Sequence, residues 1–277
     1  MRKLLAANLF RLRHNILFWI SLACMSVCGL IVPAVIYSNA TAYDYVYHID
    51  DGLFACAVFI GFVMSVFCSL FLSTESSDGT IRNKMISGHT RLTIYLSNLA
   101  VSLISGFSMC AAWFISFFAI GCPLLKTFSH SSDMILFYTL GLLALAAAYA
   151  AIYTMIAMVC QKKAIVAIVC LLCAFILWFT GVYTHARLQE PEGWEAYQYV
   201  DDDGNIATYP ATINPGYPSG IRREVLVFMS EFLPGGQADL LANMETDAPL
   251  RLVLYSTFIF LGTTAVGTAI FKRKDIK

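Results

Sequence analysis

The sequence predicts an all-α integral membrane protein. It has six transmembrane helices, an N-terminal amphipathic interface helix, a short cytosolic helix between the second and third spans, and a small extracellular subdomain before the last span. Three observations carry this reading. Of the 277 residues, 58% are hydrophobic and only 13% charged, whereas a soluble domain carries about 25% charged residues. Six apolar runs each reach the ~20 residues that a helix needs to cross ~30 Å of hydrocarbon. The basic residues, finally, are segregated between alternate connecting segments.

The chain opens with "MRKLLAANLFRLRHN", residues 1–15. Leu5, Leu9 and Leu12 fall on one stripe and Lys3, Arg11 and His14 elsewhere, which suits a helix lying along the inner surface. Arg2 and Arg13 sit close to the stripe and have to snorkel. The apolar runs follow at 16–37, 53–73, 95–122, 134–160, 164–183 and 252–271. Pro33 is expected to kink the first near its outer end. Basic residues before that run and Ala40-Thr41-Ala42 after it imitate a secretory signal, but a signal core has about 7–15 apolar residues. The run therefore reads as an anchor. The third and fourth runs exceed the length required and should tilt or protrude.

Orientation follows from lysine and arginine. With the N-terminus inside, the inner segments hold thirteen basic residues and the outer ones five: Lys126, Arg187, Arg222, Arg223 and Arg251. The acids divide the other way, with only Glu75, Asp78 and Asp275 inside. Both termini are thus expected to be cytosolic.

The inner loop 76–91, within "SSDGTIRNKMISGHTRLTIYLSNLA", is more than a connector. Asp78 is a good N-cap, with Gly79 and Thr80 in the first turn. Ile81 and Met85 lie one turn apart, with Ile86 beside Met85 and Arg82, Asn83 and Lys84 filling the remainder. Gly88 can adopt the left-handed conformation that ends a helix, and Thr90 starts the next one. The next inner loop, Gln161-Lys162-Lys163, is minimal, so the spans that it joins must be antiparallel neighbours.

Among the outer segments only 184–251 is large enough to fold. In "AYQYVDDDGNIATYP", Tyr197 and Tyr199 alternate with polar neighbours and Ile206 and Thr208 follow a turn, a hairpin signature. Asp201, Asp202 and Asp203 are adjacent rather than alternating, which suits a solvated turn and not a calcium loop. Ser219 is expected to cap a helix from Ile221 to Leu233, stopped by Pro234-Gly235-Gly236, with a second helix at Gln237–Met244. Two readings stand for this pair: an interfacial or re-entrant cap over the bundle, or a plain packed loop domain.

"SDGTIRNKMISGHTRLTIYLSNL" resembles the inner loop of the membrane (permease) subunits of bacterial type-2 ABC exporters. Many of these carry a Gly-Thr-Ile-Arg-Asn-Lys run after the second span, then a glycine and a basic residue before the third. "FLPGGQ", residues 232–237, resembles the segment before their last span. The resemblance implies a permease in the bacterial cytoplasmic membrane whose inner-loop helix docks on a separate ATPase subunit. Carried over, Asp78, Gly79, Thr80, Ile81, Arg82, Asn83, Lys84, Met85 and Gly88 form the ATPase-coupling surface. Gly79, Ile81, Arg82 and Lys84 are the preferred contacts, and Lys162 and Lys163 a secondary one. The chain has no G-x-x-x-x-G-K-[ST] run, so ATP and Mg are expected on the partner ATPase. A second permease copy completes the transporter, as homodimer or heterodimer. Its seam should be rich in small or aromatic residues; Ala144/Ala148 and Ala147/Ala151 are small-xxx-small pairs that suit such a seam or packing between spans of one subunit. The cargo is expected to be amphipathic, an antimicrobial peptide first. Phe107, Trp113, Phe117, Tyr149, Tyr153 and Trp178 could line its path or simply pack.

Other functions fare less well. None of the apolar runs contains Asp, Glu, Lys, Arg or His, which argues against an intramembrane hydrolase and against an ion-coupled carrier. A stand-alone membrane sensor or structural protein would need no ATPase. Of the nine cysteines, eight lie inside apolar runs and Cys122 ends one. They read as small buried hydrophobes, the Cys170–Cys173 pair included. Nothing in the composition points to a nucleic-acid partner; the lipid bilayer is the surrounding solvent.

Overall fold

The computed structural model describes residues 2–43, 46–160, 162–200, 206–246 and 248–274. Six of its helices are long and apolar enough to cross a membrane, which identifies a multi-pass membrane protein. In chain order the helices are α1 (Arg2–Arg13), α2 (Ile16–Tyr43), α3 (Asp50–Leu53), α4 (Cys56–Ser77), α5 (Thr80–Ile86), α6 (Arg91–Leu124), α7 (Ser132–Val159) and α8 (Lys163–Leu188). After β1 (Gly193–Trp194), β2 (Tyr197–Val200), β3 (Ile206–Tyr209) and β4 (Thr212–Ile213) come α9 (Ile221–Phe232), α10 (Pro234–Ala242) and α11 (Pro249–Arg273).

Helices α4 and α7 form the middle of the bundle; α2 packs on α6, α8 on α4, and α11 on α7. The core is therefore richest along α4, where Ile60, Met64, Phe67 and Phe71 are buried, and along α7, where Leu142, Leu145, Ala146 and Tyr153 are. The outlying α8 and α11 keep broad apolar faces exposed, among them Ile168, Ile176, Leu254, Phe258 and Leu261. Such faces suit lipid, because apolar surface costs nothing in hydrocarbon.

The helices outrun the apolar runs at nearly every end, since polar end turns still satisfy their own backbone. The second run divides into α3 and α4, and the indole Nε1 of Trp113 donates to the Leu53 carbonyl at the break (2.9 Å). Trp113, Phe117, Tyr149 and Tyr153 are core residues, while Phe107 and Trp178 are exposed. Ala148 and Ala151 are fully buried on α7, so they pack spans within one chain.

The first turns of α1 and the last turn of α11 lie at one end of the bundle, the terminal face. At that face the guanidinium of Arg91 donates to the Lys272 carbonyl (2.8 Å) and the Phe271 carbonyl, satisfying end carbonyls that α11 cannot pair itself. At the opposite face, β2 and β3 form the antiparallel hairpin that the alternation predicts, with Tyr197 opposite Tyr209 and Tyr199 opposite Ala207. The expected turn at Asp201–Asp203 lies outside the described residues. A second two-stranded ladder joins β1 to β4.

A candidate coupling site at the terminal face

The site is built around a carboxylate. Glu75 lies past the apolar run, but α4 continues through it to Ser77 and leaves its side chain fully buried. Charge can persist there only if it is paired and hydrogen-bonded. Lys84 of α5 donates to Oε1 at 2.6 Å, and the guanidinium of Arg11 from α1 contacts the same oxygen. Asn98 of α6 donates to Oε2 at 2.8 Å. Asn8 then closes the network, donating to Asn98 (2.9 Å) and Ser97 (3.0 Å) and accepting from Lys84 (3.0 Å). The Arg11 guanidinium also stacks 4.0 Å from the Phe71 ring centroid. One buried acid thus ties α1, α4, α5 and α6 together. Burial pushes the Lys84 ammonium below its ordinary range; the facing Glu75 carboxylate opposes this and Arg11 adds to it.

Beside this network lies an apolar contact. Ile81 is 4% exposed and packs with Leu4, Ile94, Tyr95, Leu99 and Phe271. Burying such a side chain contributes about 1.5–3 kcal/mol. The inner face of α5 is thus fixed to the bundle by Ile81 and Lys84, two of the residues that the sequence reading placed at the coupling surface. The outer face carries Arg82, Asn83 and Ile86, all exposed, with Ile86 at 75%. Asp78 and Gly79 are exposed, Thr80 and Met85 half-buried, and Lys162 and Lys163 exposed in the neighbouring turn.

The local backbone explains the shape. Asp78 caps the C-terminus of α4 rather than the N-terminus of α5, where Gly79 stands at φ 68° with no side-chain cap. A left-handed residue is the usual way to end a helix, and only glycine adopts it without cost. Thr80 donates its hydroxyl to the Glu75 carbonyl (2.8 Å) and so anchors the turn. Gly88, at φ 84°, ends α5 as expected. Thr90 caps α6 by accepting from the Thr93 amide. The loop is a short rigid helix bounded by two left-handed glycines.

Sequence reading missed Glu75, Asn8 and Asn98 as partners. One signal was present. Leu4, Asn8 and Leu12 recur at four-residue intervals and are the buried residues of α1, and a polar residue inside an apolar stripe requires a polar partner.

At the opposite face α9 and α10 form a helical hairpin whose turn reaches into the bundle. Tyr149, midway along α7, donates to the Pro234 carbonyl (3.2 Å). A Cβ on Gly235 would lie 1.6 Å from the Leu177 carbonyl oxygen of α8, and one on Gly181 2.3 Å from the Gly235 oxygen. Leu177 is eleven residues short of the α8 end, or ~16 Å at 1.5 Å per residue. The turn of the pair is therefore packed among α7 and α8. Two boundaries change: Gly220, not Ser219, occupies the N-cap of α9, and Pro234-Gly235-Gly236 begins α10 instead of separating the helices. Proline is favoured at a first helical position because its missing N–H would be unpaired there anyway. Gln237, fully buried, donates to the Glu231 (2.8 Å) and Phe232 (3.1 Å) carbonyls at the end of α9 and accepts from Ser256 of α11 (2.5 Å). "FLPGGQ" is accordingly a structural device: proline starts the helix, Gly235 admits α8 and Gly236 the Ser230 backbone of α9, and glutamine ties α9 to α11.

No group of three or more His, Cys, Asp or Glu side chains among the described residues is arranged to hold a metal ion. The chain matches no protein-family model, and a search of curated proteins finds no match.

Proposed function

We propose that the chain is the transmembrane permease subunit of an ATP-driven ABC exporter, working with a separate ATPase that binds ATP and Mg. In this reading it lies in a bacterial cytoplasmic membrane with both termini cytosolic and operates as a pair of permeases. The observation that carries it is the construction of α5: a short helix with a polar outer face bearing one exposed isoleucine, and an inner face clamped to α1, α4 and α6 through Glu75. A passive connector needs no such clamp, as the minimal turn at Lys162-Lys163 demonstrates. A part that must transmit force needs both a docking face and a rigid mount.

ATP-driven closure of two ATPases would displace each docked α5, and the clamp would carry that displacement to the ends of α4 and α6 and to α1. The equilibrium between inward and outward arrangements then shifts by the difference in partner affinity for the two states. The absence of ionisable residues from the apolar runs favours an amphipathic cargo over an ion, an antimicrobial peptide first. The purified chain should hydrolyse no ATP alone and should support substrate-stimulated hydrolysis once its ATPase is added. Turnover by the homogeneous chain, or failure to retain any ATPase encoded in the same cell, would refute the reading in favour of a stand-alone sensor or structural protein.

A further inference from the structure

On the side of the bundle opposite α5, a groove of about 340 Å³ runs between the end of α8 and the face of α9. Its walls are apolar, with Tyr183 from α8 and Ile221, Val225 and Met229 from α9; its rim carries Arg187 and Arg222. At 100° per residue, Ile221, Arg222, Val225 and Met229 share one stripe of α9, while Glu224 falls outside it. The groove is open to the surroundings, for Ile221 is 78% exposed and Val225 50%.

The charge there is unexpected. Positive residues are scarce on this side of the bundle, at five of eighteen. Arg251 is neutralised by Glu231 at 2.8 Å. Arg187 is held by the Gly216 carbonyl and has Glu190 only at 3.6 Å. Arg222 has no hydrogen bond or ion pair among the described residues, and Arg223, on another side of α9, lies over the Tyr217 ring (5.4 Å) with no carboxylate partner. The charged side chains that line the apolar groove are therefore both arginines, and Arg222 has no partner among the described residues. The geometry is also graded in depth. Arg187 is one residue from the α8 end and Tyr183 a turn below it, while Met229 is seven residues beyond Arg222, ~10 Å further along α9.

We infer that this groove holds an anionic phospholipid of the adjacent leaflet, its phosphate between Arg222 and Arg187 and an acyl chain along Val225 and Met229. A guanidinium matches a phosphate through paired N–H donors. The walls supply the apolar contact that a soluble anion would not use, so the occupant is a lipid and not free phosphate. The site needs no ATPase and stands apart from the coupling reading.

The test is site-specific, because the basic terminal face also attracts anionic lipid. A benzophenone amino acid is placed at Leu226, beside the groove, or at Leu261, on the exposed face of α11. The full-length protein is reconstituted into vesicles of equal phosphatidylglycerol and phosphatidylcholine, irradiated, and the cross-linked lipid identified by mass. Phosphatidylglycerol should be enriched about fivefold at 226 relative to 261, the preference that one arginine near an anionic headgroup supports. Arg222→Gln should bring the ratio at 226 to that at 261, and Arg222→Lys should keep most of the enrichment. Arg222 holds nothing in the fold, so both variants should fold as the parent does. Equal ratios at the two probes, or enrichment that survives Arg222→Gln, would overturn the site. Loss of enrichment on adding millimolar glycerol phosphate would overturn the lipid in favour of a free phosphate.

Discussion

Replacing Glu75 by alanine removes the carboxylate on which α1, α4, α5 and α6 converge. Its side chain is fully buried and accepts from Arg11, Lys84 and Asn98. Breaking a buried ion pair from one side typically costs about 3–5 kcal/mol, because the remaining charge is left uncompensated. Two features place this case near the lower limit. The Arg11 side chain is 32% exposed and that of Lys84 17%, so both can swing toward water. Asn98 loses an acceptor but keeps the Met158 sulfur at 3.3 Å. The working figure is about 3 kcal/mol, concentrated where α1 and α5 attach, since the spans retain their own packing.

Hydrogen exchange on the full-length protein in lipid nanodiscs reads this directly. Amides of 2–13 and 80–86 should exchange about a hundredfold faster in Glu75→Ala, the factor that about 3 kcal/mol of local opening provides. Amides in the middle of α7 and α8 should be unchanged. Adding Lys84→Ala should recover part of the loss, because the stranded ammonium is then gone and the two residues are energetically coupled. If α1 and α5 exchange within about twofold of the parent, local opening has not been altered and the clamp does not exist as an energetic unit.

Other outcomes follow from individual positions. Ile86→Asp and Arg82→Glu, on the exposed face of α5, should lower ATPase co-purification about tenfold, a modest interface loss, at unchanged thermal midpoint. Retention at the parent level would remove α5 as a docking surface. Gly235→Ala should cost about 2–3 kcal/mol by overpacking against α8 and lower the midpoint by about 5–10 °C. Gly262→Ala, whose Cβ meets nothing within 4 Å, is the matched control; equal midpoints would deny the hairpin its close contact. Asp239 of α10 has its carboxyl raised above the ordinary 3.8 by burial and by Glu245, against the lowering effect of His185. Its protonation thus favours the folded hairpin, a gain complete below the ordinary value and lost as pH rises through the folded one. Acidification from pH 7 down to the ordinary carboxyl value of 3.8 should therefore stabilise the parent more than Asp239→Asn, and identical pH profiles would contradict the assignment.

How much of this was legible in the sequence depends on whether the signal is local. Six spans are visible because apolar length needs no partner to be meaningful. The β2–β3 hairpin is visible because alternation and turn residues are local, and Gly88 and Thr90 because end signals act within a turn. The failures are instructive for the same reason. Asp78 and Ser219 are good capping residues, yet glycines next to them adopt positive φ and occupy the N-cap positions instead. Pro-Gly-Gly reads locally as a breaker, but a Cβ on Gly235 would strike the Leu177 backbone of α8 and one on Gly236 the Ser230 backbone of α9, and the proline becomes the start of α10.

The helix of the candidate site was legible, and the way it sits on the bundle was not. The helix between two glycines was apparent; which of its faces meets the bundle was not, because Ile81, Met85 and Ile86 offer comparable apolar choices in isolation. The bundle decides. Leu4 arrives from α1 and Phe271 from α11, and together with Ile94 and Tyr95 they cover Ile81; nothing arrives over Ile86. Glu75 was hidden by the same cause. An acid two residues past an apolar run reads as solvated loop, and it becomes a buried hub only because Asn8, Lys84 and Asn98, separated from it by 67, 9 and 23 residues in the chain, converge on one end of α4. In the proposed role that convergence would make α5 a lever: through the buried Glu75, a displacement of α5 would reach α1, α4 and α6.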